Sequence, residues 1–138
     1  MGQTQILMII LAVIIIGIAV TVGITQFGES SVAANQSALA GDCQRAVAAA
    51  QNWRKKPTGL GGGNNSFTGV TLPKLGIGAA NQNGTYTLTP SDDGTAVTCT
   101  GTSASEKNSA GDALVVTMLF DADDNSMVTT DNLAAEAE

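Results

Sequence analysis

The chain contains no histidine. The commonest general base and the commonest metal ligand are therefore missing, which excludes imidazole-based triads and most zinc sites. Aromatic residues make up only 4 % of the 138 residues, so burial must rest on Val, Leu, Ile and Ala. Positive charge is scarce as well: 6 Lys and Arg stand against 12 Asp and Glu, a net charge of -6. A nucleic-acid face needs clustered Lys and Arg, and the only basic run is Arg54-Lys55-Lys56, so no nucleic-acid partner is expected. An enzyme without histidine would have to use Asp92, Asp93, Asp112 or Asp121 as acid or base, and nothing in the sequence pairs them. Neither catalysis nor a cofactor is expected.

Cysteine occurs twice, as Cys43 and Cys99, too few and too far apart for CxxC redox or zinc patterns. A single disulfide or two buried thiols remain, and the disulfide is the favoured reading. Closing a loop of about 56 residues restricts the unfolded chain by about 4 kcal/mol on the entropy model, a large share of what so small a domain possesses. A disulfide would place the domain in an oxidising space outside the cytosol.

Charge of either sign is missing from the first 28 residues, and an apolar run stands in its place. Between residues 6 and 24 every residue is apolar or small except Thr21. As a helix this stretch is about 28 Å long, enough to cross the hydrocarbon of a bilayer. A cleaved secretory signal would have a basic start, a shorter apolar region and a small-residue exit, none of which is present. The Ile and Val content alone would suit a buried strand, but no ordinary strand is this long. Gly17 and Gly23 stand six apart, so they form no GxxxG pairing face.

Beyond the apolar run, Leu39, Cys43, Ala46, Val47, Ala50 and Trp53 recur at helical spacing and draw one packing stripe. Pro57 disfavours helix at the residue before it, and Arg54, Lys55 and Lys56 suit the negative end of the helix dipole. One helix over about 3–55 is predicted, with Gly28 and Gly41 as the places for a bend. Residues 59–69 are rich in glycine and read as a flexible connector, with Phe67 tucked against the helix. A phosphate loop is excluded because GxxxxGK[ST] is absent. Strand signals follow at 85–89, 96–102, 114–120 and 127–130, bounded by turn residues, and imply an antiparallel sheet. Val97 and Cys99 share one face of the second strand, so Cys99 looks inward and is placed to staple sheet to helix.

Asp121-Ala122-Asp123-Asp124-Asn125 is similar to the start of a calcium loop, since a hard cation needs several oxygens. Asp121, Asp123 and Asn125 are the candidate ligands. The glycine at the sixth position and the glutamate at the twelfth are missing, which favours a solvated hairpin turn. Triplets beginning at Asn35, Asn64 and Asn83 fit the N-glycosylation pattern, as chance produces in so polar a chain. Phe27 and Trp53 stand roughly 39 Å apart along the helix, too far for stacked-ring contacts, so conduction along aromatics is not expected.

The predicted fold class is α+β: a long N-terminal helix, hydrophobic in its first half and amphipathic in its second, packed on a small antiparallel β-sheet. This layout resembles the type IV pilin superfamily. The resemblance spans the whole chain in layout and is most specific in residues 1–27. Trp53-Arg54-Lys55-Lys56-Pro57-Thr58 with its Gly-rich sequel also looks like small bacterial pilin-like proteins. The resemblance implies a structural subunit of an extracellular helical filament, inserted in the inner membrane before assembly and extracted by a pilus assembly machinery. It implies self-association through Ile6, Leu7, Ile10, Leu11, Ile14, Ile15, Ile18 and Val22 as filament core. Residues 1–28 would form the membrane and filament-core helix and residues 29–138 the extracellular domain. Within that domain the helix would continue to about 56, followed by a loop at 57–84, the sheet at 85–131 and a tail at 132–138. Gly2 and Gln3 are the candidate processing site, with Met1 as mature first residue the alternative. The family's acidic fifth residue is then replaced by Leu7 or Gln5, and hydrogen bonding by Gln3 and Gln5 is the available substitute. Two other readings use the same helix: a singly anchored extracellular binding module with the Asp121 loop as its ligand site, and a secretion-system pseudopilin.

Overall fold

The computed structural model describes residues 2–108 and 110–132, so residues 133–138 of the expected tail lie outside it. Helix α1, Gly2–Lys55, runs 54 residues without a break at Gly28 or Gly41, about 81 Å in length. Its polar interruptions are absorbed locally. The hydroxyl of Thr21 donates to the Ile18 carbonyl at 2.8 Å and that of Thr25 to the Val22 carbonyl at 2.9 Å, so neither needs water.

The helix ends where the chain folds back onto it. Gly63, Asn64 and Asn65 donate their backbone N–H groups to the carbonyls of Trp53, Lys56 and Arg54, satisfying acceptors that a helix end leaves open. Asn64 and Asn65 take φ of 49° and 70°, the left-handed region that asparagine tolerates. Gly63 lies so close beneath the Trp53 ring that a Cβ there would strike the ring and the Ser66 carbonyl. The segment read as a flexible connector is thus a helix cap, flanked by two short 3-10 turns, Thr58–Leu60 before it and Pro73–Leu75 after it. Sequence reasoning expected glycine to loosen the loop, whereas here it permits close approach.

Four strands follow, β1 Gly84–Pro90, β2 Ala96–Lys107, β3 Ala113–Asp121 and β4 Ser126–Asp131, paired antiparallel in chain order. All four contain the predicted segments, and β2 runs five residues past Thr102 through an irregularity in its pairing with β3. The inner face carries Val97 and Cys99 from β2 and Leu114, Val116, Met118 and Phe120 from β3. These pack on the six-residue stripe of α1, whose members are all buried. Phe67 joins them, edge-on to Phe120 at 6.1 Å between ring centres and under the Arg54 guanidinium at 5.4 Å. The outer face is mostly threonine, with Thr85, Thr87 and Thr89 paired to Thr102, Thr100 and Thr98, residues that fit a solvated pleat.

Cys43 and Cys99 form a disulfide with Cα atoms 5.6 Å apart, both residues fully buried. The bridge joins the lower part of the helix stripe to the first half of β2. Cys43→Ser should lower stability by about 2–5 kcal/mol, read from denaturant unfolding under non-reducing conditions. An unchanged midpoint would remove the staple from the account.

Candidate functional site

The feature that demands a function is the first half of α1. The first contacts with the sheet domain come at Ser31, whose hydroxyl donates to Glu106, and at Val32, which packs on the core. Residues 2–30 therefore project alone, over about 43 Å. Ile6, Leu7, Ile10, Leu11, Ile14, Ile15, Ile18 and Val22 are 53 to 68 % exposed and fall at spacings of three and four, one broad stripe. Ile9, Val13, Ile16, Val20 and Ile24 are equally exposed on the other side. The helix is apolar all round, so no face is reserved for water. By length and composition it can cross a membrane. Gly2 and Gln3 lie in its first turn, both exposed.

A second site, which sequence reasoning missed, lies between α1 and the start of β1. Asp42 Oδ2 accepts hydrogen bonds from the Tyr86 hydroxyl at 2.7 Å, Asn81 Nδ2 at 2.7 Å and Asn83 Nδ2 at 3.2 Å. Asn81 Oδ1 in turn accepts the backbone N–H groups of Asn83 and Gly84. Beside this network lies a cavity of about 190 Å³, lined by Arg45, Ala46, Ile77 and Ala80 among others. The Tyr86 hydroxyl, then Asn81, Asn83 and Arg45, hold the Asp42 carboxyl below the usual range against the opposing effect of burial. Burial first, then the Asp42 contact, push the Tyr86 phenol up to about 12. The network ties helix to sheet across 44 residues of chain, and its only sequence signal was an Asn-rich turn ahead of a strand. A second cavity of about 200 Å³ lies higher on the same flank, lined by Asn52, Trp53, Lys56, Lys74 and Leu75 among others.

The candidate calcium ligands lie in a tight turn. Asp121 Oδ1 accepts the Asp123 backbone N–H at 2.9 Å, and Asn125 takes φ of 50°, the geometry of a turn joining β3 to β4. Among the described residues no group of three or more His, Cys, Asp or Glu is placed to hold a metal ion. Of the three glycosylation triplets, Asn35 and Asn83 spend their side chains on the Asn83 carbonyl and on Asp42 respectively, while Asn64 is exposed.

Because the folded Asp42 carboxyl titrates below its unfolded value, its contribution is fully present above about pH 4 and is lost as pH falls through the folded value. Asp42→Asn should therefore cost about 1 kcal/mol at neutral pH, with the gap from wild type closing on acidification. Urea midpoints measured from pH 7 down to pH 2 check this, and a gap constant with pH would refute it. Comparison with protein-family models, curated proteins and solved structures finds no match to this chain.

Proposed function

We propose that the chain is a structural subunit of an extracellular, type IV pilus-like helical filament, built by bundling the first half of α1 from many copies. The observation that carries this reading is a helix apolar on every side, standing clear of a small disulfide-tied head. Each Leu, Ile or Val removed from water contributes about 1.5–3 kcal/mol, so more than a dozen such side chains must lie in lipid or against one another. Exchanging one apolar surrounding for the other leaves the backbone hydrogen bonds of α1 untouched and needs no water for Thr21 or Thr25. A membrane-inserted precursor can therefore become a filament core without refolding. Other copies of the chain, the membrane before assembly, and an extraction machinery are the partners this requires. The Cys43–Cys99 bridge fits a head exposed to an oxidising space.

The test is electron microscopy of material sheared from source cells, with mass spectrometry of the same fraction. Thin filaments composed mainly of this chain are expected, and their mass gives the first residue and so the use of Gly2 and Gln3. Retention of the whole chain in membranes, with none in sheared polymers, would favour a single anchored module instead. Ile15→Asp puts a charge at the middle of the run and should abolish both membrane residence and assembly, since a buried unpaired charge costs several kcal/mol. Normal filaments from that variant would overturn the proposed core.

A further inference from the structure

One lateral side of the sheet domain carries charges of both signs, and the other carries negative charge alone. Arg45 and Asn52 on α1 and Lys56 just past its end stand at spacings of seven and four, and thus share one flank. That flank is the β1 side: Arg45 borders the cavity closed by Ile77 and Ala80, and Lys56 borders the one closed by Lys74 and Leu75. Asp42 on this flank is already bound by Tyr86, Asn81 and Asn83. Asp92 and Asp93 sit above it on the β1–β2 turn, where Asp93 is engaged with Ser91 and Thr95. On the opposite side, β4 pairs only with β3 and is exposed along its whole length. Asp121, Asp123 and Asp124 stand at its upper end and Asp131 at its lower end, with Met127 and Val128 between them, 43 and 50 % exposed. No Lys or Arg lies between residues 114 and 132.

We infer that the β4 edge of one copy docks on the Arg45–Lys56–Lys74 flank of a second copy of this chain. The inference rests on the self-assembly reading and specifies its lateral contact. Arg45 and Lys56 are about 16 Å apart along the helix, and β4 is about 17 Å long. With both copies parallel, as a common bundle of helices requires, Lys56 and Lys74 meet Asp123 and Asp124 while Arg45 meets Asp131. Arg45, Asn52 and Lys56 are also donors, suited to the outward carbonyls that a free strand edge presents. Asp131 accepts a hydrogen bond from Gln36, nine residues below Arg45. Bringing the charges together therefore displaces the second copy along the helix axis by about 14 Å. A contact between two different surfaces with an axial step does not close, and it propagates as an open helix.

The full chain in source-cell membranes tests this by cysteine cross-linking. Lys56→Cys combined with Asp124→Cys should give a ladder of covalent multimers under mild oxidation, and Lys56→Cys with Asp131→Cys should not. Arg45→Cys with Asp131→Cys should give a ladder as well, and adding Lys56→Glu and Lys74→Glu to that pair should cut it about tenfold. Asp123→Lys with Asp124→Lys should restore it, because like charges across an interface repel and reversed pairs attract. Recovery of the Cys43–Cys99 bridge at wild-type level verifies folding, and the uncharged cysteine pair carries the test if a reversal variant misfolds. Absence of any ladder, equal ladders from both Lys56 pairs, or indifference to charge reversal would overturn the inference. Filaments by microscopy without a ladder would leave the assembly reading standing and remove this contact. A ladder without filaments would do the reverse.

Discussion

The constraint on which the rest depends is that one uninterrupted helix must serve two surroundings. Its first half exposes apolar side chains in every direction, and its second half buries one stripe under a sheet. No hinge separates the two. The orientation of the head is therefore set by the rotational phase of Leu39, Cys43, Ala46, Val47, Ala50 and Trp53 on the same backbone. What differs between the halves is side chains alone, since both obey the same hydrogen-bond pattern. This suits Thr21 and Thr25, whose hydroxyls bond back onto the helix, and the placing of the first charge as late as Glu29.

The head is held by unlike devices that act at different heights. At the top, the Gly63–Asn65 backbone caps the helix while Phe67 and Phe120 meet beneath Arg54. In the middle, the disulfide joins stripe to sheet. Around it, the Asp42 network secures the turn that leads into β1. A core so poor in aromatic residues gains little from any single contact, and the covalent and polar ties supplement a burial that rests on Val, Leu and Ala.

The long-period features were legible in the sequence. The helix stripe, the four strands and the inward direction of Val97 and Cys99 follow from periods of 3.6 and 2, which depend on neighbours in the chain. The apolar run was equally plain as a run, and its side chains are exposed on every side of the helix. What stayed hidden depends on distant partners. Asp42 looks like an ordinary surface acid until Tyr86 and two asparagines arrive from the far side of the fold. Residues 59–69 looked loose because glycine content speaks of freedom, whereas Gly63 is small so that Trp53 can sit against it. Pro57 marks the end of the helix, but nothing in its neighbours' composition says that the chain beyond folds back onto that end.

The placement of the disulfide sets how tension would travel through the molecule. A pull on the head, resisted at the foot of α1, loads the join between sheet and helix in shear. Cys43 is the covalent crossing point, so stress passes from β2 into the helix there, and the twelve residues above it lie outside the line of force. The cap, Trp53 and the basic flank can then keep their geometry while the stem is stretched. Once the weaker ties below it have given way, the sulfur bridge still holds the head on its stem.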